Sequence, residues 1–130
     1  MDNQITCAWQ EDKKDFDAEL NGHHIRMAAE TISPKPLLLV ALAGCTGLDI
    51  VSLLEKMHVK FDRFNMTVGG DLTKEYPKFY HHIHLTYEIH LAETDRNKME
   101  KAVSLSVEKY CGVHAMLEKA AKVTHEIVYL

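Results

Sequence analysis

The segment from Pro36 to Leu48 constrains this chain more than any other. It reads Pro-Leu-Leu-Leu-Val-Ala-Leu-Ala-Gly-Cys-Thr-Gly-Leu and turns amphipathic only near Glu55-Lys56. A helix that is apolar all round belongs at the centre of a domain. Ser33-Pro34-Lys35-Pro36 suits its start, because Ser caps and Pro fits the first turn. The run is too short to span a bilayer and Asp49 closes it, so no membrane partner is expected. Met1-Asp2-Asn3-Gln4 begins a stretch without basic and apolar signal regions, which predicts a cytoplasmic protein. With 130 residues, a single domain over 1–130 is expected. The formal charge of −4, from 15 basic and 19 acidic residues, argues against a nucleic-acid platform.

Strand patterns surround this helix. Ile5, Cys7 and Trp9 alternate with polar neighbours, as do Phe16, Ala18 and Leu20 after the turn Asp12-Lys13-Lys14-Asp15. Asn21-Gly22 is a hairpin turn signal leading to His23, Ile25 and Met27. Residues 59–71 read as a strand, with Gly69-Gly70-Asp71 opening a polar loop that runs past Pro77. Residues 80–91 alternate cleanly, Ile83, Leu85, Tyr87, Ile89 and Leu91 against His82, His84, Glu88 and His90. Thr94-Asp95 suits a helix start, and Met99, Val103, Val107 and Cys111 form a stripe that Gly112 breaks or kinks. Val123 to Leu130 alternates as a closing strand. The order βββ-α-ββ-αα-β has strands in runs, which favours an α+β fold.

Three cysteines do not make a disulfide framework. Cys7, between Ile5 and Trp9, is expected in the core. Cys45 is flanked by Gly44 and Gly47, although Gly costs about 0.5–1 kcal/mol relative to Ala in a helix. Small residues there predict close approach of a second element. Cys111, beside Gly112 and Ala115, is a natural partner, and two such surfaces could meet at disulfide distance. Ordinary burial of both thiols is the other reading. A reactive thiolate needs a cation, for which Arg26 and then Lys35 are candidates.

The motifs around these two cysteines carry a family resemblance. Ser33-Pro34-x-x-Leu37-Leu38-Leu39-x-Ala41-Leu42-x-Gly44-Cys45-Thr46, continued by Asp49-Ile50-Val51-Ser52-Leu53-Leu54-x-Lys56, resembles the first-cysteine helix of the OsmC/Ohr family. These are the osmotically inducible and organic hydroperoxide resistance proteins. Glu108-Lys109-Tyr110-Cys111-x-Val113-x-x-Met116-Leu117-Glu118-Lys119-Ala120 resembles the second-cysteine segment, and Thr124-His125 resembles a pair in the closing strand. The resemblance implies an OsmC-like fold, with antiparallel sheets packed on two central helices in an intertwined homodimer. It implies thiol-dependent reduction of organic hydroperoxides in stress defence, with Cys45 peroxidatic and Cys111 resolving. Arg26 would activate and Glu108 would orient. An external dithiol, such as a lipoyl group, would restore the thiols, and no metal or organic cofactor is required. The turn that carries a Glu in the well-characterised peroxidases reads Ser33-Pro34-Lys35-Pro36 here.

Other readings of the same residues stay open. His82, His84 and His90 share a face with Glu88, and Cys111-x-x-His114 spaces two ligand types one helical turn apart, as metal binding could use. A solvated histidine face is the plainer interpretation. A non-catalytic module that holds an apolar ligand at a dimer interface would also suit the Leu, Val and Met content. Cys45 with His114 or His125 could form a hydrolytic pair.

Overall fold

The computed structural model describes residues 1–130. The chain divides into two compact units, Met1–Leu38 and Leu39–Leu130. The first is built on its own hydrogen-bonded sheet, which is why it separates.

In the first unit, β1 (Thr6–Gln10), β2 (Asp15–Leu20) and β3 (His23–Met27) form an antiparallel sheet in the order β1-β2-β3. Leu20 pairs with His23 across a two-residue loop. Asn21 and Gly22 both take positive φ, 51° and 78°, as a tight hairpin turn matching the strand twist requires. Trp9 pairs with Phe16, their rings edge to face at 5.3 Å. Cys7 is exposed rather than buried as expected. It lines an apolar concavity with Trp9, Phe16, Met27 and Pro34.

The long helix α1 spans Pro34–Lys56. Pro34 is its first residue, where a missing N–H costs nothing. Its end is a C-terminal cap built by sequence-local bonds. His58 takes φ 58°, its N–H donates to Glu55 O at 3.1 Å, and Val59 N–H donates to Leu54 O at 2.9 Å. Val59 and Leu54, the two residues that such a cap brings together, are both buried. By length and composition α1 could cross a membrane, so the apolar helix runs beyond Pro36–Leu48. Its stripe Leu42, Thr46, Ile50 and Leu54 is buried in protein, but Leu38, Val40 and Leu48 are exposed, so the helix is buried along one face and not all round as expected.

In the second unit, β4 (Phe61–Leu72), β5 (Tyr80–Leu91) and β6 (Lys122–Tyr129) lie in the order β4-β5-β6. The β4–β5 pair is antiparallel, but β5–β6 is parallel, which corrects the expectation of purely antiparallel sheets. The physical reason is the connection. Strand β6 follows β5 through a helical crossover comprising α2 (Arg96–Leu105), a π turn (Ser106–Tyr110) and α3 (Gly112–Leu117). A crossover of that length returns the chain in the same direction. Alternation on β5 buries Ile83, Leu85, Tyr87, Ile89 and Leu91 with Met99, Ala102 and Val103 of α2.

Gly69 and Gly70 do not open a loop, as their type suggested. They continue β4 to Leu72, opposite His84 and Ile83. A Cβ on Gly70 would lie 2.6 Å from the Tyr80 ring, so glycine here makes room for a buried aromatic.

Candidate functional site

The chemistry-bearing residues of the second unit converge beside α1. Cys45 and Asp49 are four residues apart on that helix and so share a face. Cys111 comes from the other end of the crossover. Its N–H donates to Ser106 O at 2.7 Å, a bond spanning five residues, which closes the π turn. Cys111 then leaves the helical region, at φ −77° and ψ 101°. The helix therefore breaks at Cys111 itself, one residue before the expected Gly112. In this conformation Cys111 caps α3, its sulfur accepting the His114 N–H at 3.4 Å. Cys45 Sγ, Cys111 Sγ and a carboxylate oxygen of Asp49 all lie within 4.8 Å of one another. Both thiols are free.

A buried hydrogen-bond chain fixes the carboxylate. Ser106 Oγ donates to Asp49 Oδ2 at 3.0 Å. Thr46 Oγ1 lies 2.9 Å from Ser106 Oγ and 3.0 Å from the Tyr87 hydroxyl. Since Ser106 donates to Asp49, Thr46 donates to Ser106 and Tyr87 donates to Thr46, so each hydroxyl gives one bond in a single direction. Burial raises the Tyr87 phenol above its usual range, which keeps it a donor. The polar cleft that reaches Asp49 is also lined by Ser52, Leu53, Lys56 and Tyr110.

The Cys111 thiol is pushed up to about 11. Burial is the main cause, followed by donation of its S–H to Cys45; the His114 N–H opposes, and the charges of Cys45 and Asp49 add to the rise. Unfolded, a cysteine loses its proton near pH 8.5. Between that value and about 11 the folded chain holds a proton the unfolded chain has released. The resulting stability is whole at lower pH and is lost as pH rises through the folded value. Urea unfolding followed from neutral to strongly alkaline pH should therefore show a decline that Cys111→Ser makes shallower, the raised Tyr87 phenol supplying the part that remains. Parallel declines in parent and variant would remove the assignment.

Each of the other expected site residues has its own surroundings. Arg26 pairs with Asp15 in the first unit, its Nε and Nη2 at 3.0 and 2.8 Å from Asp15 Oδ2. Glu108 is exposed on the π turn. Gly47 does provide close approach, since a Cβ there would meet the Met66 methyl at 2.5 Å, whereas Gly44 faces open space. The strand histidines do not gather as ligands. His90 bonds Asp62, and His82 and His84 both bond Thr124. His114 is buried, and Cys111 meets its backbone N–H. Thr46, Ser106 and Tyr87 were not singled out from sequence as site residues. A Thr beside Cys45 and a Ser one turn before Cys111, both on apolar stripes, were the available signal.

A family model described as OsmC-like protein matches residues 27–126. Protein YhfA of Escherichia coli is 31% identical over 126 residues, 94% of each chain. A hypothetical protein from Aquifex aeolicus has a similar structure, with TM-score 0.84, 25% identity, and coverage of 98% of this chain and 96% of that one. An OsmC-like protein from Mycoplasma pneumoniae superposes with TM-score 0.81 at 20% identity, covering 100% and 99% of the two chains.

Proposed function

This chain belongs to the OsmC-like protein family, and within it we propose a thiol-dependent peroxidase that reduces organic hydroperoxides in oxidative stress defence. The observation that carries this reading is the pair of free thiols from two separate elements, held within 4.8 Å of one another beside an anchored carboxylate. Cys45 is the nucleophile. Its thiolate attacks the terminal oxygen of the hydroperoxide, the O–O bond breaks, and the alkoxide takes a proton and leaves as the alcohol. Cys45 is then a sulfenic acid. Cys111 attacks that sulfur, a disulfide forms and water leaves with the Cys111 proton. A dithiol, of lipoyl type, reduces the disulfide by exchange.

The elevated Cys111 value supports this division of labour. A protonated Cys111 does not compete for peroxide and donates its S–H to Cys45. The reading gives the carboxylate role to Asp49 rather than Glu108 and leaves Arg26 with Asp15. The protein works in it as a cytoplasmic homodimer. Val40 and Leu48 on α1, 63% and 75% exposed, are apolar surface of the kind a second copy covers. The alternative, a non-catalytic binder of an apolar molecule, draws on the concavity of about 590 Å³ lined by Trp9, Phe16 and Met27.

The test is intact mass and free-thiol count after one equivalent of cumene hydroperoxide. The expected result is rapid loss of two of the three thiols and of two hydrogens, with Cys7 still free. Reaction only as slow as that of free cysteine would overturn the peroxidase and favour the binder.

A further inference from the structure

We propose that Cys45, Asp49 and Cys111 also bind one thiophilic divalent cation, with Zn²⁺ the ion that suits their donors best. The site offers two sulfurs and one carboxylate oxygen within 4.8 Å of one another. Tetrahedral zinc, with Zn–S about 2.3 Å and Zn–O about 2.0–2.2 Å, places such donors roughly 3.5–3.8 Å apart. The donors therefore close by no more than about 1.3 Å to hold the ion. A disulfide needs its sulfurs at about 2.05 Å.

The surroundings of Asp49 resemble the outer shell of a ligand. Ser106 donates to Oδ2 and is itself backed by Thr46 and Tyr87. That leaves Oδ1 for the metal and fixes the carboxylate's orientation, as outer-shell partners of ligands do. The cleft lined by Asp49, Ser52 and Lys56 opens onto the carboxylate, and water would be the fourth ligand. Two thiolates and a carboxylate carry one negative charge more than the ion neutralises. His82, His84 and His90 of β5 are engaged with a carboxylate or Thr124 and do not compete.

Binding is not a redox step. Each sulfur donates a lone pair to the ion, and any thiol proton passes to solvent. A metal-bound sulfur is not available to peroxide or to its partner cysteine, so the metal form is a protected state of the same pair. This inference uses the thiols of the proposed peroxidase but does not depend on their reacting with peroxide.

The experiment is titration of the fully reduced protein with Co²⁺ and Zn²⁺, without peroxide. One equivalent of Co²⁺ should bring up a thiolate-to-cobalt charge-transfer band that one equivalent of Zn²⁺ removes. Cys45→Ser and Cys111→Ser should abolish the band. Asp49→Asn should weaken binding about tenfold or more. The double change His82→Ala with His84→Ala should leave it intact. A second measurement needs no variant: one equivalent of Zn²⁺ should slow alkylation of Cys45 and Cys111 but not of exposed Cys7. A band that survives in both cysteine variants, or is lost with the histidines, would overturn the assignment. So would equal alkylation rates with and without Zn²⁺. A protein that fails with peroxide yet passes here loses only its peroxidase reading.

Discussion

Cys45→Ser is expected to abolish rapid peroxide consumption, and Cys111→Ser to keep the first turnover and lose all later ones. The two cysteines differ because their surroundings differ. Cys111 is 3% exposed and its thiol is pushed up to about 11. At neutral pH only about one Cys111 in ten thousand is then ionised. Since the thiolate is the attacking species, Cys111 cannot replace Cys45. With Cys45 intact and Cys111 removed, the sulfenic acid forms but finds no resolving thiol, so it persists or is oxidised further. Exposed Cys7 contributes a background reaction, and the comparison is best made in a Cys7→Ser protein. Stopped-flow peroxide consumption with mass analysis of the product reads both variants. If Cys45→Ser keeps more than about a tenth of the parental rate, the nucleophile has been misassigned; a tenfold difference corresponds to about 1.4 kcal/mol in the barrier.

Thr46→Val is expected to lower the unfolding free energy by about 2–4 kcal/mol, a large share of a small domain's stability. Val keeps the shape of Thr and removes its hydroxyl. Thr46, Tyr87 and Ser106 are all at most 1% exposed, so water does not replace the lost partner. The Tyr87 hydroxyl then has no acceptor, and an orphaned buried donor costs about 1–3 kcal/mol. Ser106 keeps Asp49 but loses the bond that aligned it. Tyr87→Phe should cost less, because Thr46 still bonds Ser106. The double variant should be more stable than the sum of the single losses predicts, since both ends of one broken bond are gone. Urea unfolding of the four proteins closes this cycle. Additive losses would show that the hydroxyls do not act as a chain.

Much of the fold was legible because it is local. Strand β5 has the expected bounds, Tyr80–Leu91, since an alternating apolar face reports the backbone period directly. The Asn21-Gly22 hairpin was legible for a similar reason: two residues that tolerate positive φ select one turn. Position 70 misled because glycine as a loop signal and glycine as space for a neighbour look alike. Only the Tyr80 ring against Gly70 separates them. Cys7 misled because alternation marks an apolar face without saying whether anything covers it.

Of the candidate site, the sequence by itself determined that Cys45 and Asp49 share a helix face and that Cys111 ends an apolar stripe. It also carried the motifs by which the family is recognised. Tertiary structure decided the rest: the parallel placement of β6, the pairing of Arg26 with Asp15, and the meeting of Ser106 with Thr46 across 60 residues. It decided, too, that the break at Cys111 turns that sulfur toward Cys45 and Asp49. The physical reason is that side-chain periodicity follows from the backbone of one element. A contact between elements depends on packing and on helix breaks, which no short stretch of residues encodes.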